Sequence, residues 1–499
     1  MLESLLAGII SVMNVNVFLG IISGVSVGII LGAIPGLTAT IAIALIIPFT
    51  FYMDPVVSIS MLIGAYKGGL YGGSISAILI GTPGTDAAAA TIIDGYAMAK
   101  NGKSGKALRI ALYASVMGDM ISLLALIIIA PMLAQVTLKI GPIEFFALIV
   151  FSLTIIAGMG GESIIKGLIA ASLGLLLATV GLDPIIGIRR LCFGMAELDS
   201  GIAIMPMLIG LFAIPEVIVQ LEYPLESNVP VLGLSKIPAD NKVSWKEFKK
   251  CLKSILIGSG IGILIGAIPG IGSSVSSWLS YKTAKDRSKY PEKWGTGIIE
   301  GIAAPEAGNN AVCGGALIPM LTLGVPGSIP VAILMGAFLI QGLIPGPMIF
   351  SENGPVVYGI FASLFISNFF LLLIGFLAIK YTAPYFCNVS KVILFPLVIG
   401  FCYVGSFALN QTFFDVKIMV IFGVFGYLMR KYKFPAAPFL IAMILEPFGE
   451  RALRQFLIIS RGQITLVFYH PIAVVLLVLT IIFLVVFITK NLKKARTVI

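Results

Sequence analysis

The chain has 499 residues, 58% of them hydrophobic and 11% charged, with a mean hydropathy of +1.06 and a net charge of +10. Soluble domains carry roughly 25% charged residues, so this composition excludes a soluble fold and indicates a polytopic membrane protein. The Lys and Arg excess sits in short loops and at the C-terminus, which reads as membrane topology and excludes a nucleic-acid-binding domain.

The apolar runs are continuous rather than alternating, so the predicted class is an all-α polytopic membrane protein. By the criterion of ~20 apolar residues per span, about twelve spans are expected. Residues 1–30 lack the basic start of a cleavable signal and read as a retained first span. A first membrane repeat is predicted over 1–222. A basic connector over 223–253 contains Lys236, Lys242, Lys246, Lys249 and Lys250. A second membrane repeat covers 254–457, and 458–499 holds a final span and a basic cytoplasmic tail with Lys490, Lys493, Lys494 and Arg496. The expected location is the cell membrane.

Five scattered cysteines, Cys192, Cys251, Cys313, Cys387 and Cys402, form no CxxC pair and read as packing residues. The only histidine, His470, reads as interfacial. There is no HExxH, no Ser/His dyad and no Walker motif, so neither an enzyme nor ATP-driven transport is expected. No cofactor is expected beyond Na⁺ or H⁺ as a coupling ion.

One phrase occurs twice. Gly32-Ala33-Ile34-Pro35-Gly36 returns as Gly266-Ala267-Ile268-Pro269-Gly270, and each copy is followed by a second Pro-Gly, Pro83-Gly84 and Pro326-Gly327. A glycine cluster lies between the markers in each half, at 68–73 and 308–315. Pro-Gly pairs break helices, and matched breaks in two apolar halves mark the binding site of a secondary transporter. Residues 37–66 carry no Lys or Arg, whereas the matching stretch of the second half carries Lys282, Lys285, Arg287, Lys289 and Lys293. After the second Pro-Gly the bias reverses, with Lys100, Lys103, Lys106 and Arg109 in the first half and none over 328–379. Opposite bias predicts inverted repeats. Basic segments on both sides of 254–281 then require a re-entrant hairpin folded at Pro269-Gly270.

Each break should start a half-helix inside the membrane, whose unpaired N–H groups and dipole favour an anion. Small hydroxyl residues follow the breaks: Thr38 and Thr40, Thr85, Ser273 and Ser274, and Ser328. Their simplest alternative role is close helix packing. Lys67 is an intramembrane cation, read either as a substrate-carboxylate contact or as a substitute for a coupling cation, with Asp86 as its expected partner and snorkelling as the alternative. Glu306, Asn309 and Asn310 offer carboxylate and amide groups to substrate, Na⁺ or a proton, or else cap a broken helix. The expected substrate residues are therefore Thr38, Thr40, Lys67, Thr85, Ser273, Ser274, Asn309, Asn310 and Ser328, with ion coupling at Lys67, Asp86, Glu306 and Asn310. Asp94, Asp119, Glu144 and Glu162 are expected at span ends, and Arg189-Arg190 in a topological or lipid-facing role.

These residues resemble the large membrane subunit of the tripartite tricarboxylate transporters, the TctA family. The resemblance rests on 32–37, Tyr71-Gly72-Gly73-Ser74, 81–91 with Asp94-Gly95-Tyr96, 266–272, 301–310, 321–327, Pro345-Gly346-Pro347 and a late stretch from Phe414 to Pro435. It implies uptake of a small organic anion of the di- or tricarboxylate type, driven by an ion gradient with alternating access. It also implies a soluble substrate-binding protein and a small four-span membrane subunit as partners; lipid contact and a homo-oligomer are further expectations. Lys67, Asp86 and Glu446 depart from the family pattern, which puts Na⁺ coupling in question and leaves room for a stand-alone carrier of a different substrate. An anion channel built on re-entrant hairpins is the rival class.

Overall fold

The computed structural model describes residues 2–159, 163–222, 231–382, 385 and 391–496. The helices are α1 (Leu2–Val12), α2 (Val15–Ala33), α3 (Ala39–Thr50), α4 (Pro55–Leu79), α5 (Thr91–Met98), α6 (Ser104–Thr137), α7 (Pro142–Met159) and α8 (Ile164–Ala178). A small hairpin, β1 (Gly181–Leu182) and β2 (Arg189–Arg190), precedes α9 (Ile204–Glu222), α10 (Pro238–Asn241), α11 (Trp245–Ala267), α12 (Gly272–Asp286), α13 (Ile299–Leu323), α14 (Ile329–Ile340), α15 (Ile349–Glu352) and α16 (Gly354–Leu377). Helices Lys391–Asn410, Phe413–Lys431, Ala436–Ile459 and Pro471–Arg496 follow. The all-α membrane class holds. Cys387 and Glu162 lie outside the described residues.

Among the described residues five helices are long and apolar enough to cross a membrane: Val15–Ala33, Thr91–Thr137, Ile204–Glu222, Pro238–Ala267 and Gly354–Tyr381. Shorter apolar helices include Ala39–Thr50 and Ile329–Ile340. Fewer helices than the expected twelve or so meet this criterion, because the Pro-Gly breaks leave several apolar helices short of a full crossing. α4 and α13 miss the apolar criterion because Gly, Ser and Asn dilute them, yet they are the centre of the molecule. Every residue from Leu62 to Leu79 and from Gly301 to Thr322 is buried. A helix covered on all sides needs no polar face.

Glycine sets how closely the flanking helices approach these two. A methyl group on Gly24, Gly28 or Gly32 of α2 would strike the carbonyls of Met61, Ala65 and Gly69 on α4. On α11, Gly258, Gly262 and Gly266 stand in the same way against the carbonyls of Ala304, Gly308 and Val312 on α13. The two hairpins thus share one packing register, in which each residue of α4 corresponds to the residue 243 positions later in α13 (61 and 304, 65 and 308, 69 and 312). The Pro-Gly breaks close onto this frame alike. A methyl on Gly84 would lie 2.1 Å from Gly32 O, and one on Gly327 would lie 2.2 Å from Gly266 O.

The halves then exchange partners: α6 lies along α13, and α16 lies along α4. α7, α8, Ala436–Ile459 and Pro471–Arg496 pack together, while α9 packs on Phe413–Lys431 and α3.

The expected basic connector is partly helix. α11 starts at Trp245 behind a capping box of Ser244 and Glu247, so Lys246, Lys249 and Lys250 occupy its first turns. Upstream, Leu232 N–H donates to Leu79 O at 3.0 Å and Ser104 Oγ to Gly233 O at 2.6 Å, which straps this segment to the first half. α11 and α12 fold back on each other at Pro269-Gly270. Their open ends are tied by Lys253 Nζ donating to Arg287 O at 2.6 Å.

Candidate functional site

The first break forms because Pro35 has no N–H to continue α2 and Gly36 adopts φ +94°. Ile34 N–H turns back to Leu31 O. The second copy repeats the bend, with Ile268 N–H on Ile265 O and Gly270 at φ +83°. Gly270 N–H donates to Gly327 O at 3.1 Å, and Gly84 N–H to Gly73 O at 3.1 Å, so three of the four Pro-Gly pairs are pinned by backbone. Gln220 Nε2 also clamps the first break, donating to Pro35 O at 2.9 Å and to Glu216 Oε1 at 2.8 Å.

The four breaks converge. One cavity of about 180 Å³ is lined by Thr38, Thr40, Thr85, Asp86, Gly270, Ser273, Ser274 and Ser328, with Leu70 of α4. α3, α12 and α14 all begin at this lining, with N-caps Thr38, Ile271 and Ser328. Their lengths of 12, 15 and 12 residues correspond to about 18–22 Å, short of the roughly 30 Å hydrocarbon core. The first N–H groups of each half-helix have no intrahelical partner. Thr38 Oγ1 takes one of them, from Ile41, at 3.4 Å. The hydroxyl oxygens of Thr85 and Ser328 are buried; that of Thr85 has no hydrogen-bond partner among the described residues, and that of Ser328 lies beside the Tyr66 hydroxyl. The lining contains no Lys, Arg or His; its one formal charge is the exposed carboxylate of Asp86. Six of the nine expected substrate residues therefore meet at one place.

Lys67, Asn309 and Asn310 do not line it. Lys67 is not paired with Asp86. Its Nζ lies 2.7 Å from Asp119 Oδ2, 2.6 Å from Leu364 O and 3.3 Å from Asn368 Oδ1, with 1% of the side chain exposed. An ammonium has three N–H donors, and all three are committed, so a direct substrate contact by Lys67 is set aside. Asp86 sits at the cavity 19 residues later, beyond the end of α4, where it cannot turn back to Lys67.

Glu306 is fully buried and gathers hydroxyls from the first half: Ser74 Oγ at 2.6 Å, Thr91 Oγ1, and Ser115 Oγ at 3.0 Å. Asn310 Nδ2 donates to Ser115 Oγ at 2.8 Å and to Glu306 O at 3.0 Å. Because Ser115 accepts from Asn310, its single proton is directed to Glu306. The carboxyl thus collects three hydroxyl donors without a paired cation among the described residues. Asn310 Oδ1 and both polar atoms of Asn309 are buried and unpartnered.

Several side chains had other roles in the sequence reading. Asp94, expected at a span end, is completely buried within the protein, against the loop that leads into α13. It accepts from the N–H groups of Gly295 (2.9 Å), Gly297 (2.8 Å) and Ile298 (3.0 Å) and from Tyr281 Oη (2.9 Å), closing the N-terminus of α13. Asp119 is likewise buried, against Lys67. Glu144 meets His470 Nδ1 at 2.6 Å. Arg189 pairs with Asp199 while staying largely exposed, and Arg190 pairs with Glu450 and Asp183. Sequence reasoning missed Asn368, although an amide inside the apolar run 355–379 was a legible signal. It also missed Ser74, Thr91 and Ser115 as Glu306 ligands; nothing local distinguishes them from packing residues.

A family model described as the tripartite tricarboxylate transporter TctA family matches residues 18–441. This chain belongs to the TctA family. Two Agrobacterium vitis proteins are similar to it. "Uncharacterized 52.8 kDa protein in TAR-I ttuC' 3'region" is 37% identical over 462 residues, 92% of this chain and 90% of that protein. "Uncharacterized protein in TAR-II ttuC' 3'region" is 36% identical over 240 residues, 47% of this chain and 97% of that protein. No solved structure matches. The TctA match spans both Pro-Gly pairs of both halves and the Glu306 and Lys67 clusters, and it makes the chain a multi-pass member of a membrane transporter family.

Proposed function

We propose that this TctA chain is a secondary active transporter that takes up a small organic anion of the di- or tricarboxylate type across the cytoplasmic membrane. The observation that carries this reading is the convergence of all four Pro-Gly breaks on one cavity without a cationic residue. Carboxylates accept hydrogen bonds, and this lining supplies donors: half-helix N–H groups and the hydroxyls that follow each break, that of Thr85 without a partner. About 180 Å³ equals roughly six waters' share of liquid volume, which suits an anion of a few carbons. Neutral recognition leaves the anion loosely enough held to be released, as a carrier requires.

The shared packing register, the opposite loop charges and the folded-back α11–α12 pair support two inverted repeats with re-entrant half-helices and alternating access between them. The driving ion, Na⁺ or H⁺, is assigned to Glu306 and Asn310. A buried carboxyl held by hydroxyls, beside an unpartnered amide oxygen, suits a proton or a small hard cation. Asp86 is the one acidic group that lines the cavity itself. As in the tripartite systems for which the family is named, a soluble binding protein and a small membrane subunit are the proposed partners.

The test is binding and uptake with purified protein. Carboxylates should raise the melting temperature, and reconstituted vesicles should accumulate them only with an imposed ion gradient. Thr85→Val and Ser328→Ala remove hydroxyls that line the cavity, that of Thr85 without a protein partner and that of Ser328 beside Tyr66, so folding should be nearly unchanged while uptake falls at least about tenfold per lost charge-assisted bond of ~1.5–3 kcal/mol. Wild-type uptake in the double variant discards the site; gradient-independent, non-saturating flux supports the channel reading instead.

A further inference from the structure

The Lys67 ammonium occupies a cage made only of oxygen: a carboxylate (Asp119 Oδ2), a backbone carbonyl (Leu364 O) and an amide carbonyl (Asn368 Oδ1). The cation comes from α4, the carboxylate from α6 and the two carbonyls from α16, so three helices from both halves meet on one charge. These oxygen types are the ones a hard cation selects. A clamp between helices needs no such set, because neutral side chains of similar shape hold buried helices equally well.

The packing register adds a second observation. Lys67 corresponds to Asn310, since 67 and 310 differ by the same 243 positions that relate the carbonyls of α4 and α13. Both residues reach across to the helix that the other half contributes or shares: Lys67 to α16, Asn310 to Ser115 on α6. Around Asn310 there is again a buried carboxyl, Glu306, but no ammonium, and Asn310 Oδ1 is left without a partner. One half holds a cation on its own chain, and the corresponding place in the other half has oxygens without one. Leu70, about one helical turn from Lys67 along α4, lines the cavity.

We propose that Lys67 is a built-in monovalent cation. Its ammonium permanently fills a cation site formed by Asp119, Asn368 and the Leu364 carbonyl, so this half draws no ion from solution and coupling falls to the Glu306–Asn310 cluster of the other half. The last clause rests on the coupling role proposed above; the cage itself does not, and the experiment reads the cage alone.

Lys67→Ala vacates the cage. In a Glu306→Gln background, which silences the other cluster, melting is followed as choline is replaced by Na⁺, K⁺, Li⁺ or methylammonium at constant ionic strength. Glu306→Gln alone should be indifferent to the exchange. Lys67→Ala/Glu306→Gln should show a saturable upward shift with at least one of these cations, and adding Asp119→Asn should abolish it. No cation response in the Lys67→Ala protein overturns the proposal. So does failure of Lys67→Ala and Lys67→Ser to fold in every salt while the neutral pair Lys67→Met/Asp119→Asn folds, because a filled cage should restore the fold. Loss of ion-coupled uptake in Glu306→Gln with or without the cage response separates the two readings.

Discussion

Asp94 offers the sharpest test of how the halves are joined. It projects from α5 of the first half and receives three backbone N–H groups at the start of α13, together with the Tyr281 hydroxyl of α12. The loop that presents those N–H groups turns on Gly295 and Gly297, at φ +96° and +98°, which only glycine adopts without strain. Asp94→Ala removes four donors' acceptor at once. An orphaned buried donor costs about 1–3 kcal/mol, and three N–H groups remain, on the exposed Gly295 and the half-buried Gly297 and Ile298, so each costs toward the lower end. The expected loss is about 3–5 kcal/mol, discounted for water that enters the gap. Asp94→Asn keeps one acceptor oxygen and should lose about half as much. The assay is reactivity of the buried thiols, since Cys251 on α11 and Cys313 on α13 are both inaccessible in the native state. At ~1.4 kcal/mol per tenfold, a 3 kcal/mol loss should speed labelling about a hundredfold for Ala and roughly tenfold for Asn. Labelling of Asp94→Ala at the wild-type rate would refute the claim that this carboxylate holds α13 in place.

Other outcomes follow from the same geometry. Gly84→Ala and Gly327→Ala should each cost about 1–3 kcal/mol, and by similar amounts, because each methyl meets the corresponding carbonyl; Gly400→Ala, in open space, should be neutral or stabilising. Unfolding midpoints of the three check this. Asp183 is held well below the usual carboxylate range by Arg454, with the N–H groups of Ile186 and Ile185 adding to it. A depressed pKa means that its contribution is complete at neutral pH and is lost as pH falls below about 4, the ordinary Asp value. Limited proteolysis of the β1–β2 hairpin should therefore increase on acidification, and Asp183→Asn should show the low-pH susceptibility already at pH 7. Glu306→Gln keeps the shape of the Ser74–Thr91–Ser115 cluster and should leave carboxylate binding measurable while removing the gradient dependence of uptake.

Much of this protein is legible in its sequence because the deciding physics is local. Composition alone requires a membrane, since 11% charge cannot cover a soluble surface. Pro35, Pro83, Pro269 and Pro326 are each followed by glycine and stand where no helix runs, whereas Pro48, Pro131 and Pro305, without that glycine, sit inside helices; the four Pro-Gly breaks and the hydroxyls following them were therefore readable without knowing what lies opposite. The number of spans was less readable, because an apolar run does not reveal whether it crosses or turns back. The tertiary structure alone decided which breaks meet and which buried polar groups pair. Lys67 and Asn368 are 301 residues apart, Thr91 and Glu306 are 215 apart, and Asp94 and Ile298 are 204 apart. A buried polar group takes the partner that the crossing of helices brings within about 3 Å, and sequence spacing carries no record of that crossing. That is why Asp86 was expected for Lys67 and Asp119 is found. Thr38, Thr85, Ser274 and Ser328 were legible as residues that follow breaks; only the fold makes them walls of one cavity.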